Sequence, residues 1–204
     1  MAVADIRLFG DPVLRTRATE VTDFGPDLHR LVDDMLETMD RHHGAGLAAP
    51  QIGVGARVFT YDCGGQRGHI VNPVWTAVGT ETQTGPEGCL SIPGVQADTT
   101  RAAQVTVTGV DRHGDPVTLH VDDIMARCVQ HETDHLDGVL FLQRLAPGVR
   151  KAAMRVVRES AWFTEGRTST DDPGSYPTTW VQGDPDTTED ARTGDAPATS
   201  DATL

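Results

Sequence analysis

His131-Glu132-Thr133-Asp134-His135 reads H-E-x-x-H inside a segment that patterns as a helix over about residues 122–137. Four residues is about one helical turn, so both imidazoles project to the same side. Two neutral imidazoles one turn apart can grip one metal ion. The Glu between them is placed to handle a proton on a metal-activated water. Ile124, Cys128, His131 and His135 fall on one narrow face, with Met125, Val129 and Leu136 beside it. Arg127, Gln130, Thr133 and Asp134 fall opposite. A helix apolar over so much of its circumference belongs in a core. Asp122 or Asp123 can cap its start and Gly138 can end it.

Two histidines leave an ion short of a third protein ligand, and a catalytic site keeps one further position open. The candidates are Cys63, Cys89 and Cys128, or a distant His or carboxylate. Cys128 lies three residues before His131, on the same face. Cys89 sits in Glu87-Gly88-Cys89-Leu90-Ser91, a glycine-containing segment that can bring its thiolate in from outside the helix. A ligand from a separate segment completes the better tetrahedron, which favours Cys89. The plain reading of Cys128 is a small buried apolar residue. Spacing alone leaves both open.

Working outward, Leu28, Leu31, Val32, Met35, Leu36 and Met39 recur at helical spacing, so a second amphipathic helix is expected over 24–43 with Gly44 as its stop. Gly44-Ala45-Gly46-Leu47-Ala48-Ala49-Pro50-Gln51 is too glycine-rich for a helix and too small-residue for an ordinary strand. Residues 57–62 and 70–78 read as short strands, with Pro73 marking an edge or a bulge. Valines alternate with threonines around Val105 and Val107, and Val117, Leu119 and Val121 alternate likewise. Asp111-Arg112-His113-Gly114-Asp115 between them is turn chemistry, so a β-hairpin is expected. A last helix over 148–162 carries Arg150, Lys151, Arg155 and Arg158.

The 204 residues suffice for one domain with a real core. Residues 1–165 are read as a catalytic metallohydrolase domain and 166–204 as an acidic, Thr/Asp/Pro/Gly-rich disordered tail. The tail holds −6 of the formal net charge of −13 and is expected to be a passive, solubilising extension. An acidic chain is a poor nonspecific binder of nucleic acid or anionic membranes, and no specific DNA binding is expected. No apolar run approaches a membrane span, and Asp5 and Arg7 interrupt any signal-peptide core. Three cysteines are poor material for a disulfide framework, so a reducing cytoplasmic setting is expected. His29, His69, His113 and His120 lack a partner pattern and read as surface residues.

Three segments in order, 44–51, 87–91 and 130–135, resemble the signature motifs of the peptide deformylase family. Asp11-Pro12-Val13-Leu14-Arg15, Asn72-Pro73 and Leu136-Asp137-Gly138 extend the likeness, which covers about residues 5–163. Three ordered motifs are far more specific than any one. The resemblance implies an α+β fold, with antiparallel strands packed around a central helix bearing the H-E-x-x-H motif. It implies hydrolytic removal of the N-formyl group from nascent polypeptides that begin with formyl-methionine. Carried over by position, Cys89, His131 and His135 are the metal ligands and Glu132 the general base and acid. Gln51 and the backbone N–H of Leu90 hold the formyl oxygen. Gly44, Ala45, Gly46, Gly88, Ile124 and Cys128 are the substrate-binding candidates. The family usually employs one Fe²⁺ and also works with Zn²⁺, Ni²⁺ or Co²⁺.

Two other classes compete. A metallopeptidase could use the same water and Glu with a different third ligand. A noncatalytic metal-binding module would fill all four positions with protein ligands. Deformylases act near the ribosome, so the basic helix near 144–158 has ribosomal RNA as its expected partner. A solvated basic face is the plain alternative.

Overall fold

The computed structural model describes residues 3–182. In chain order the strands are β1 (Ile6–Arg7), β2 (Gly46–Ala48), β3 (Val58–Cys63), β4 (Gln66–Ala77), β5 (Thr82–Gly88), β6 (Val95–Ala102), β7 (Gln104–Val110), β8 (Pro116–Asp122), β9 (Ser169–Thr170) and β10 (Thr179–Val181). The helices are α1 (Pro26–Arg41), α2 (Asp123–Leu136), α3 (Pro147–Glu159) and α4 (Ala161–Thr164).

Glycine and aspartate turns organise the main sheet, whose order is β2-β3-β4-β7-β8. Gly64 and Gly65 both take positive φ, which lets a two-residue turn join β3 to β4 with Cys63 opposite Gln66. Between β7 and β8, Asp111 Oδ1 accepts from the N–H of His113 at 2.7 Å and of Asp115 at 3.0 Å. Pro73 falls at a break in register between Val71 and Val74, so the bulge expected there is present. Asn72 holds the bulge by exchanging two 2.8 Å hydrogen bonds with the backbone of Val21.

α1 buries Leu28, Val32, Met35 and Met39 along one stripe and stops where Gly44 N–H reaches Met39 O at 3.0 Å. α2 is buried from Met125 through Leu136 and packs against strands of both larger sheets. Its polar side chains are paired rather than solvated. Gln130 extends the edge of β6 by accepting from Ala102 N–H and donating to Ala102 O, both at 3.0 Å.

A second sheet, ordered β10-β6-β5, was not anticipated. β6 reads Val-Gln-Ala-Asp-Thr-Thr-Arg-Ala, and Val95, Ala97, Thr99 and Arg101 face inward. An arginine and a threonine on the buried side hide the alternation.

Three expectations are corrected. Residues 44–51 include strand β2, at the edge of the main sheet, followed by a 3-10 turn. The last helix breaks at Ser160, which is extended and separates α3 from α4. Residues 166–182 are ordered, contrary to the reading of 166–204 as a disordered tail. β9 pairs with β1, Leu8 N–H donates to Thr168 O at 2.8 Å, and β10 runs parallel to β6. Few apolar residues suffice, because Val181 is buried against the α3 cluster and backbone pairing does the rest. Residues 183–204 lie outside the described residues, as does the remainder of that reading.

Shortening tests the correction. A chain ending at residue 165 is expected to unfold several degrees below one ending at 182. Losing one buried Val alone costs about 1.5–3 kcal/mol. Equal calorimetric midpoints would return the segment to a passive role.

Candidate metal centre and active site

Three elements converge on one point. α2 supplies His131 and His135, one turn apart, their rings edge to face with centroids 5.0 Å from each other. The turn after β5 supplies Cys89, whose Sγ lies 3.3 Å from His135 Nε2. One ligand atom from each of the three lies within 4.8 Å of the others, and all three residues are buried. Among the described residues no other such group of three is present. Cys128 lies outside it; its thiol is directed at Ala45 O, 3.5 Å away.

The chemistry of the donor set fits a divalent cation. His131 Nε2 is buried with no hydrogen-bond partner among the described residues, as are both oxygens of Glu132 and His135 Nδ1. Burial holds His135 well below the usual imidazole range, reinforced by the neighbouring His131 and Arg101, so it is neutral and able to ligate. Burial lifts the Cys89 thiol far above its ordinary value, hydrogen bonding from Ser91 opposes this, and the Glu132 charge adds to it. A thiolate there needs a cation beside it. Soft sulfur with two imidazoles accommodates Zn²⁺, Fe²⁺, Co²⁺ or Ni²⁺ and does not select among them.

A layer of fixed charge orients the first histidine. The Nδ1–H of His131 donates to Glu87 Oε2 at 3.0 Å, which turns Nε2 toward Cys89 and His135. Arg101 grips Glu87 with Nε at 2.8 Å and Nη2 at 2.9 Å, and Arg127 adds a third bond at 2.9 Å. Burial alone would raise the Glu87 carboxyl, but Arg101 and His131 override it and hold it well below the usual carboxylate range. Arg101 also donates to Asp134 at 2.6 Å, and Asp134 in turn binds half-exposed Arg144. A relay of ion pairs thus runs from the surface to a histidine of the site.

Arg101 joins two carboxylates in this relay, so Arg101→Met is expected to lose about 3–5 kcal/mol, the usual cost of breaking a buried pair. That lowers the thermal midpoint by on the order of 10 °C. A calorimetric shift of only a degree or two would show that Arg127 and Arg144 carry the layer without it.

Gln51 and Glu132 face the same space. Gln51 Oε1 accepts from Ala48 N–H at 2.8 Å, which fixes the amide so that Nε2 points at Ser91 Oγ, 3.3 Å away, and Cys89 Sγ, 3.6 Å away. Leu90 follows Cys89 in a tight turn closed by Ile92 N–H on Cys89 O at 2.9 Å. Glu132 is wholly buried against β2. A Cβ at Gly46 would sit 2.4 Å from Glu132 Oε1 and 2.9 Å from Cys128 Sγ.

A family model described as polypeptide deformylase matches residues 3–151. The chain belongs to the polypeptide deformylase family. Its relatives include peptide deformylase 1 of Corynebacterium efficiens, 59% identical over 169 residues that span 81% of this chain and all of that one. The peptide deformylase of Acidothermus cellulolyticus is 56% identical, covering 79% of this chain and 89% of the relative. Among solved deformylase structures, that from Thermus thermophilus superposes with a TM-score of 0.72 at 44% identity, over 76% of this chain and 93% of that one. The Legionella pneumophila enzyme gives 0.73 at 38% identity, over 80% and 96%. The mixed α+β architecture with antiparallel sheets is therefore the deformylase one.

Within this deformylase scaffold the structure brings together Cys89, His131, His135, Glu132, Gln51 and Leu90. Gly46 and Cys128 touch the same space, and Ala45 lies behind Cys128. Gly44 meets the Leu90 side chain, and Gly88 ends β5 directly before Cys89. Ile124, on the first turn of α2, is 43% exposed. Sequence reasoning missed Arg101, Arg127, Asp134, Ser91 and the role of Glu87. A signal existed only for Arg101, as the lone basic residue at an inward position of an alternating run.

Proposed function

We propose that Cys89, His131 and His135 hold one divalent ion and that this site hydrolyses the N-formyl group of nascent polypeptides beginning with formyl-methionine. The observation that carries the reading is the convergence of those three residues beside a buried carboxylate whose two oxygens have no hydrogen-bond partner among the described residues. A bound divalent ion supplies Lewis acidity and brings the pKa of a water toward about 7. Fe²⁺ is the expected native ion, with Zn²⁺, Ni²⁺ or Co²⁺ as working replacements.

Glu132 takes the attacking water's proton and returns it to the departing amine. Burial, with the charges of Cys63 and Glu87 nearby, raises its carboxyl well above the ordinary range, which suits a group that must both accept and release a proton. Gln51 Nε2 and the Leu90 N–H hold the formyl oxygen as charge builds on it; neutral donors fixed in place need little reorganisation. A formyl carbon bears only hydrogen, so a tight pocket rejects acetyl groups by size.

β2 and β5 are both edge strands, and both reach the site. Gly44, Gly46 and Gly88 let a peptide backbone approach there as an added strand. The basic helix α3 is proposed to face ribosomal RNA, and salt-sensitive co-sedimentation with ribosomes is its expected sign. A cytoplasmic setting suits three free, buried thiols. No helix among the described residues is long and apolar enough to cross a membrane.

Anaerobic turnover of a formyl-methionyl peptide, with metal analysis of the same sample, is the direct test. Deformylation in proportion to bound metal supports the reading. Cleavage of unformylated peptides without deformylation would give the site to a peptidase. Metal with no exchangeable water and no turnover would make it structural.

A further inference from the structure

A groove of about 650 Å³, lined by none of the metal-site residues, lies between α3 and the Pro12–Arg15 turn. Its floor is apolar, with Phe9, Leu142, Leu145 and Met154 among its lining, and its rim carries Arg15, Arg150, Lys151 and Arg158. All four cations are exposed. Arg15 donates to the neutral Gln143 at 3.0 Å, and among the described residues none of the four has an acidic partner. The neighbouring Arg144 and Arg155 differ, since they pair with Asp134 and Glu159. Unpaired cations are conspicuous in a chain of net charge −13.

The chain itself holds the complement. Asp184, Asp186, Glu189 and Asp190 place four acids within seven residues, and residues 183–204 carry six acids against the single Arg192. Strand β10, which precedes this stretch in the chain, packs against the groove's own helix. Val181, at the end of β10, is buried in the same cluster as Ala153 and Val157 of α3. α3 is only about 20 Å long at the helical rise. Asp184 lies three residues and Asp190 nine residues beyond Val181, so at about 3.3 Å each this stretch reaches about 10–30 Å from it, enough to run along the helix.

We propose that the acidic stretch 184–190 docks on the cationic groove beside α3 of its own chain and screens it from external polyanions. The attachment is intramolecular, so weak individual ion pairs act at a high effective concentration. Salt weakens the contact, because all of the groups involved are solvent-facing.

The test uses the full chain and a full-chain variant, D184N/D186N/E189Q/D190N. Zero-length carbodiimide cross-linking at low salt is expected to join Lys151 to residues 184–190, and the link is expected to vanish in the variant and at high salt. With heparin as the probe, the variant is expected to bind about tenfold tighter than the parent at low salt, with no difference at high salt. Equal heparin affinities would overturn the screening. Absence of the cross-link would overturn the docking. Cross-links found only between isotopically distinct chains would assign the groove to a second copy and overturn the intramolecular contact.

Discussion

Glu132→Ala is expected to keep its metal and lose deformylation, with kcat falling by about 10²–10⁴-fold, the contribution of a positioned general base. The same substitution is expected to leave thermal stability unchanged or higher. Glu132 is fully buried, and neither carboxylate oxygen has a hydrogen-bond partner among the described residues. Such a group costs free energy in the folded state, so its removal relieves a penalty while removing the chemistry. Metal analysis, formyl-peptide kinetics and calorimetry on one preparation separate the two effects. Retained turnover would sink the proposed role, and a large fall in stability would mean that the carboxylate holds the fold.

Cys89→Ala is expected to lose both metal and activity, down to background, whereas Cys128→Ala keeps its metal. The two thiols are equally buried, so burial does not distinguish them. Direction does: Cys89 Sγ faces His135 Nε2 at 3.3 Å, and Cys128 Sγ leans on a backbone carbonyl. Two imidazoles alone leave an ion with half of a tetrahedron. The loss is also visible without any assay of turnover, because a ligand that binds only the folded chain raises its melting temperature. Added Ni²⁺ is expected to raise the midpoint of the parent and of Cys128→Ala, and not that of Cys89→Ala. The reverse pattern would make Cys128 the third ligand.

The helices and the β7–β8 hairpin were legible because their information is local. Leu28, Val32, Met35 and Met39 repeat at helical spacing, and Asp111 with Gly114 writes its own turn. Pro73 announced a bulge in β4 because proline cannot donate in a ladder. β6 was illegible because Thr99 and Arg101 occupy the buried side, where an apolar residue would have shown the alternation, and β5, Thr-Gln-Thr-Gly-Pro-Glu-Gly, has no large apolar residue at all. β9 and β10 were missed because so short a strand gains its order from backbone pairing with distant partners. The same division runs through the site. His131 and His135 stand one turn apart on a single helix, so sequence spacing sets their geometry. The choice between Cys89 and Cys128 turned on where β5 ends in space, which no local pattern encodes. The ion-pair layer is further still from view. Glu87, Arg101, Asp134 and Arg144 come from separate strands, a helix and a connecting turn, and each looks like an ordinary surface charge until the chain has folded.

The close approach of β2 to Glu132 bears on drug resistance. Any side chain at position 46 would press on the carboxylate oxygen itself, so even the smallest mutation, Gly46→Ala, is expected to cost activity through Glu132. A compound whose affinity rests on backbone contacts at that position therefore leans on a residue whose substitution is expected to displace Glu132. Contacts made to the exposed side chain of Ile124 are expected to offer an easier escape by substitution.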